Sequence, residues 1–341
     1  MQLSARIVSL ELAENFTIAR GSQDIADVVE VEIRHEGISG FGEAAPIDIY
    51  GESAESALAY AESVGGELGD DPFALEEVMQ RLPAEQFAAR AAVDAALHDL
   101  CGKLVGEPVW RLLGLERSGP PTAWTIGLAE PDEMARKAEQ ADATERFKRL
   151  KLKIGGRDGL DVERVRAVRG VTGVPLQVDV NEYWTLDEAL DALPQLAEAG
   201  VEYCEQPLRH GDEDGVRLVG ASPIPIFVDE DCHTLADVAA CGKIAHGINI
   251  KLAKSGGIRE AVRMAHAARA LGLGVMLGCM IESGLGIAAG AAIASLCDYV
   301  DLDGNLLIAQ DSWPGVELVD GVQTPSEEPG LGVRQAVPRS R

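Results

Sequence analysis

From Ala123 to Asp303 the chain repeats one rhythm eight times: a short apolar run of strand character, then a longer segment with helical spacing. The runs are AWTIGL, RLKLKIG, PLQVDVN, VEYCEQ, IPIFVDE, GINIKL, GVMLGC and DYVDLD, and segments such as DGLDVERVRAVRGV and GIREAVRMAHAARALG lie between them. Parallel neighbours need a crossover of about a dozen residues or more, which an amphipathic helix supplies. Eight such units close most simply into a parallel (β/α) barrel, expected here over residues 119–311.

The preceding stretch has a different pattern. Residues 2–48 read as strands, with a hairpin broken at Glu36-Gly37. Residues 53–105 then carry helical spacing, in SAESALAYAESVGGEL, FALEEVMQRL and AEQFAARAAVDAALHDLCGKL. The expectation is an α+β domain over 1–118 that caps the barrel. The tail from about 312 to 341 is too short for a domain of its own and is expected to pack back on this cap.

Residues just after barrel strands share one C-terminal mouth, so the strand ends are where chemistry is sought. Lys151 and Lys153 lie two apart on one strand and therefore point the same way. Asp179, Glu205 and Asp229 follow on the next three strands, and Lys251 on the one after, at steps of about 22 to 26 residues. Three carboxylates without His or Cys suit Mg²⁺, with Mn²⁺ as an alternative, rather than zinc. Two lysines crowded together beside a cation are expected to have lowered pKa values and to serve as bases. Lys251 is preferred over Lys254, which is expected in the following loop. Each of these acids taken alone reads equally as a helix cap or an ion-pair partner; their regular spacing is what favours the metal.

Asp301 and Asp303 end the eighth strand with both carboxylates on one face, which suits a substrate ammonium or, more plainly, a cap and a structural ion pair. His233 reads as the cap of a helix beginning at Thr234, and His246 as part of the approach to the sixth barrel strand. Arg20, within IARGS, either clamps a substrate carboxylate or pairs on the surface with Asp24 or Glu14.

The formal net charge of -26 over 341 residues opposes nucleic acid or an anionic membrane as partner. No apolar run is long enough to span a bilayer, and the first residues lack a signal-peptide pattern. The six cysteines are scattered without a CxxC pair, which reads as reduced thiols and a cytoplasmic protein.

KxK at Lys151–Lys153, DxN at Asp179–Asn181, EQP at Glu205–Pro207, DE at Asp229–Glu230 and KxxKxGG at Lys251–Gly257 together resemble the enolase superfamily, in its muconate-lactonising subgroup. Within it, IARGS, YGES, DEDCHT, MLGCM and DLDG are similar to the dipeptide epimerases, L-Ala-D/L-Glu epimerase among them. The resemblance covers almost the whole chain and implies an enolase-type modified TIM barrel with an N-terminal α+β cap. It implies Mg²⁺ held by Asp179, Glu205 and Asp229, and Lys153 and Lys251 as an acid/base pair assisted by Lys151. It also implies Asp301 and Asp303 on a dipeptide's amino group, and Arg20, Asn181 and Met280 on the substrate side. Barrels of this kind often associate as homo-oligomers. One departure is DED at Asp229–Asp231 in place of the commoner DES, expected to add an acid near the metal. The resemblance equally admits N-succinylamino acid racemase or o-succinylbenzoate synthase, which share the lysine and metal frame. From another class, a catalytically silent metal-binding scaffold remains.

Overall fold

The computed structural model describes residues 1–336. The N-terminal stretch is an antiparallel meander of β1 (Gln2–Ile18), β2 (Gly21–His35) and β3 (Ile38–Ala44). Its second turn falls at Glu36-Gly37, where both residues have positive φ, the backbone that a tight hairpin needs. The first turn, at Ala19-Arg20, has no such dipeptide and was not foreseen from the sequence.

Helices α1 (Ala54–Val64), α2 (Leu75–Arg81), α3 (Phe87–Val105) and α4 (Val109–Leu112) follow. The alanine run of α3 has a packing reason. Gly40 and Gly42 lie on one face of β3, and a Cβ on Gly42 would sit 2.0 Å from the carbonyl oxygen of Ala92. Ala92 and Ala96, one turn apart on α3, thus let helix and strand backbones approach closely.

All eight sequence runs become strands: β4 (Ala123–Ile126), β5 (Arg149–Lys153), β6 (Leu176–Asp179), β7 (Val201–Glu205), β8 (Ile226–Val228), β9 (Gly247–Lys251), β10 (Gly274–Gly278) and β11 (Tyr299–Asp301). They pair in sequence order, and each pairing is parallel. A parallel bridge from Thr122 to Val300 draws the two edges together into a nearly closed barrel. Between them run α5 (Pro131–Ala143), α6 (Asp161–Arg169), α7 (Leu186–Glu198), α8 (Gly215–Ala221), α9 (Val238–Cys241), α10 (Leu252–Ser255), α11 (Ile258–Ala270) and α12 (Gly284–Ala291).

Residues such as Leu150, Leu152, Val178 and Cys204 fill the layer between strands and helices. Inside the barrel, Tyr203, Phe227 and Met276 pack with Tyr299. This apolar plug leaves the C-terminal strand ends as the polar half of the interior. No described helix is long and apolar enough to cross a membrane.

After the barrel, β12 (Glu317–Val319) and β13 (Val322–Thr324) form a hairpin against it, where Gln323 Nε2 donates to the Leu302 carbonyl at 2.9 Å. Further on, Leu331 N donates to Asp99 of α3, and Trp110 Nε1 to the Ser326 carbonyl. The last part of the expected tail, residues 337–341, lies outside the described residues.

Cap and barrel also meet through a buried acid. Glu43 at the end of β3 accepts hydrogen bonds from the Ser283 N–H at 2.8 Å and from the Ser283 hydroxyl. Burial pushes its carboxyl from 4.5 up to about 8, against the pull of the Ser283 hydrogen bonds, and nearby Glu282 adds to the rise. Between those values the folded chain holds a proton that the unfolded chain has released. Stability from this group therefore falls as pH rises through that window. Glu43→Gln, which mimics the protonated acid, should flatten the loss of unfolding free energy between about pH 5 and about pH 8 in urea titrations. An unchanged slope would mean that Glu43 is ionised in the fold.

Candidate active site

Lys151 and Lys153 project from β5, Asp179 and Glu205 end β6 and β7, Asp229 directly follows β8, and Lys251 ends β9. In an eight-strand ring β5 and β9 are four steps apart, hence on opposite walls. The three acids occupy the strands between.

The lysines lie on the acids. Lys153 Nζ is 2.5 Å from Asp179 Oδ2, and Lys251 Nζ is 2.8 Å from Asp229 Oδ2. Lys151, fully buried, reaches Asp301 Oδ2 at 2.7 Å, Glu205 Oε2 at 2.7 Å and Asp179 Oδ2 at 3.5 Å. Its approach to Glu205 is a charge contact rather than a directed hydrogen bond, because Glu205 Oε2 has no hydrogen-bond partner. Asp303 lies beside Asp301: Thr125 N donates to Asp303 Oδ2 at 2.6 Å, and Thr125 Oγ1 to Asp301 Oδ1 at 3.3 Å.

Three further residues hold this group in place; Asn249 and Gln206 were not singled out from the sequence, and Lys254 was weighed there only as the competitor of Lys251. Asn249 Nδ2 donates to Glu205 Oε1 at 2.7 Å. Gln206 Oε1 accepts from Asp229 N at 2.9 Å, fixing the main chain from which that carboxylate hangs. Lys254 is not in a loop but in the single turn of α10, fully buried. Its Nζ donates to Asp229 Oδ1 and the Asp229 carbonyl, both at 2.5 Å, and to the carbonyls of Cys232 and Asn249. Asn249 lies two before Lys251 on β9, so the period of two was the signal available.

Electrostatics reverse one expectation. Burial opposes the charge on Lys151, yet Asp301, Glu205 and Asp179 outweigh it and hold its pKa well above the ordinary value. Burial likewise works against Lys251, and Asp229 raises it. For Lys151 the predicted lowering by repulsion is replaced by a rise, because its nearest groups are carboxylates. Asp179, penalised by burial, is nonetheless pulled down to about 2 by Lys153 and Lys151. Asp229 is lowered in the same manner by Lys251 and Lys254. Burial and then Asp179 raise Glu205. Burial and then Asp301 push Asp303 up to about 7.

Around this centre, Arg20 at the β1–β2 turn reaches the barrel rather than Asp24 or Glu14. Its Nη1 donates to Glu182 Oε2 at 2.8 Å, and its Nη2 to Glu230 Oε1. Asn181 is buried in the left-handed region at φ 51, with Nδ2 donating to Asp179 Oδ2 at 3.2 Å. Met280 sits after β10 among apolar residues of cap and barrel. Asp231 does not add an acid to the centre: it accepts from Gln206 Nε2 and Gly211 N and braces the loop after β7. His233 does not cap; Thr234 does, through a capping box with Asp237, while His233 stacks on Tyr50. His246, directly before β9, accepts at Nδ1 from Ile226 N at the start of β8, away from the mouth.

Among the described residues, no three Asp, Glu, His or Cys side chains are gathered so that they could hold a metal ion as they stand. The donor chemistry nevertheless fits a hard divalent cation. Asp179, Glu205 and Asp229 are all-oxygen donors on adjacent strands, and buried Glu205 Oε2 lacks a hydrogen bond. Lysines supply the counter-charge in this arrangement.

A model described as mandelate racemase / muconate lactonizing enzyme, N-terminal domain, matches residues 3–114, and one described as enolase C-terminal domain-like matches residues 133–336. An L-Ala-D/L-Glu epimerase of Bacteroides thetaiotaomicron is 42% identical over 330 residues, covering 95% of this chain and 85% of the relative. A dipeptide epimerase of Enterococcus faecalis, solved with Mg and L-Leu-L-Tyr, superposes with TM-score 0.92 at 35% identity over 97% of this chain and 98% of that one. An N-succinyl Arg/Lys racemase of Bacillus cereus superposes equally well, at TM-score 0.92 and 30% identity, covering 98% and 96%.

Lys254→Met should lower the unfolding free energy by about 3–5 kcal/mol in urea titrations without added divalent ion, since it strips Asp229 of a buried partner and leaves carbonyls unpaired. Lys251→Met should cost less, because Asp229 keeps Lys254. Equal losses would mean that Lys254 is no special anchor.

Proposed function

The chain belongs to the mandelate racemase / muconate lactonizing enzyme family, and on that premise we propose that it is a dipeptide epimerase. It inverts the α-carbon of the C-terminal residue, with L-Ala-L-Glu to L-Ala-D-Glu as the leading substrate pair. The observation that carries this reading is the opposition of Lys153 on β5 to Lys251 on β9, with three acids between. A carbon held between two amines can lose its proton to one and regain a proton from the other, which inverts it. One lysine facing an acid would suit elimination or ring closure better.

Lys153 Nζ and Lys251 Nζ each take and return a proton, and the neutral amine is the form that accepts it. Lys151 stays charged beside Asp301, Glu205 and Asp179 and supplies fixed positive potential to the substrate carboxylate. Asn249, Gln206 and Lys254 keep Glu205 and Asp229 from turning away. Asp301 and Asp303 receive the dipeptide's ammonium. When bound at Asp179, Glu205 and Asp229, Mg²⁺ (or Mn²⁺) supplies positive charge where the substrate carboxylate gains electron density as the α-proton leaves. Arg20 faces the second side chain, and this favours an acidic one. The chain divides for these tasks into a cap over 1–118 and a barrel over 119–311, with the tail from 312 joined to the cap through Ser326 and Leu331 and to the barrel through its β12–β13 hairpin.

The second reading, an N-succinylamino acid racemase, is favoured by the Bacillus cereus likeness. Against it stand Asp301 and Asp303, two acids where a succinyl carboxylate would lie.

With Mg²⁺ and a panel of L-Ala dipeptides, chiral chromatography should show the D-epimer of the second residue, Ala-Glu foremost. Lys153→Ala and Lys251→Ala should each lower epimerisation by about a thousandfold or more. Each should still exchange the α-proton of one epimer with solvent. Exchange of both epimers by either variant would contradict the two-base reading. Turnover of N-succinyl amino acids alone would replace it with the second.

A further inference from the structure

Arg20 already carries two protein carboxylates on the side where a substrate carboxylate would bind end-on. Each terminal nitrogen of its guanidinium already carries an acid, Glu182 on Nη1 and Glu230 on Nη2, and Nη1 also approaches the Asn181 carbonyl at 3.5 Å. An end-on bidentate clamp on an incoming carboxylate would use both of those nitrogens.

The two acids differ in how they are held. The Glu230 side chain is 4% exposed and lies next to Asp229 in the barrel wall, whereas that of Glu182 is 20% exposed at the rim. Glu182 has a second anchor: its Oε1 accepts from His210 N at 2.8 Å. Its backbone is pinned in the left-handed region at φ 75, with Glu182 N donating to the Gln206 carbonyl at 2.8 Å. Glu182 can therefore release Arg20 and keep a hydrogen bond to its own carboxylate. Glu230, more deeply buried and with Oε2 unpartnered, would lose its only one.

We propose that Glu182 is a specificity-determining residue: it occupies, on Arg20, the seat that an acidic substrate side chain must take. The proposal rests on the dipeptide-epimerase reading and names the residue that tunes it. Binding of an acidic dipeptide becomes an exchange of one carboxylate for another on the same guanidinium. A dipeptide with a neutral second residue leaves the Arg20–Glu182 pair intact and bears no such competition. Acidic substrates thus bind with the intrinsic affinity of Arg20 reduced by the fraction of time that Glu182 holds it.

The test compares kcat/KM for L-Ala-L-Glu with that for its neutral isostere L-Ala-L-Gln, with Mg²⁺, in the parent protein, in Glu182→Gln and in Glu182→Ala. The glutamine variant keeps one acceptor oxygen, for either Arg20 or His210 N, and carries no charge. The alanine variant guards against an effect peculiar to the amide. The Ala-Glu to Ala-Gln ratio should rise by about fivefold or more in both, chiefly through a lower KM for Ala-Glu. A ratio that stays the same or falls in either variant overturns the proposal, since Glu182 would then be propping Arg20 for substrate instead of competing with it. If the parent protein turns over neither dipeptide, the epimerase reading itself fails first, and the two failures are told apart by that control.

Discussion

Lysine ammonium groups and carboxylates buried against one another at one end of a barrel are the interaction on which this structure depends. Lys151, Lys153, Lys251 and Lys254 meet Asp179, Glu205, Asp229 and Asp301 there. Taken alone, any of these charges would cost several kcal/mol to strip of water. Together they neutralise each other, and Asn249 and Thr125 add hydrogen bonds to Glu205 and Asp301. The arrangement is possible only because parallel strands deliver all their C-terminal ends to one rim. Beneath them Tyr203, Phe227 and Met276 pack with Tyr299 as an aromatic layer, in which Gln177 accepts from the Tyr203 hydroxyl.

The cap completes the site by bringing charge to its outer edge. A turn of only two residues, Ala19-Arg20, carries the guanidinium across to Glu182 and Glu230 on two different barrel loops. Elsewhere the cap is fixed by close packing and by buried polar contacts such as Glu43 with Ser283 and Glu30 with Trp313. The centre proposed for proton transfer is therefore enclosed by two parts of the chain with different demands. In the proposed function the barrel supplies fixed geometry and the cap supplies selectivity.

The barrel and its charged strand ends were legible in the sequence because both follow short periods. Alternation by two marks each strand, and about 24 residues separate one rim position from the next. Asp179, Glu205, Asp229, Lys153 and Lys251 fell into place for that reason. What stayed hidden depends on contacts between distant segments. Lys254 looked like a loop lysine because one short turn of helix cannot be read from four residues. Asp231 looked like an addition to the metal acids, but its side chain turns to Gln206 and Gly211. The direction for Lys151 was misjudged for a related reason: the sequence places Lys151 beside Lys153, whereas the fold places it beside three acids. Arg20 was visible as a cation, but its partners, 162 and 210 residues away, were not.

The central claim is that two opposed lysines exchange the α-proton of a dipeptide's C-terminal residue. It is tested most directly by incubating the protein with Mg²⁺ and L-Ala-L-Glu in D₂O and following the dipeptide by mass spectrometry and chiral analysis. The account predicts a gain of one deuterium, confined to the glutamyl residue and accompanying its inversion. Inversion without label from solvent, or label in the alanyl residue, would contradict it.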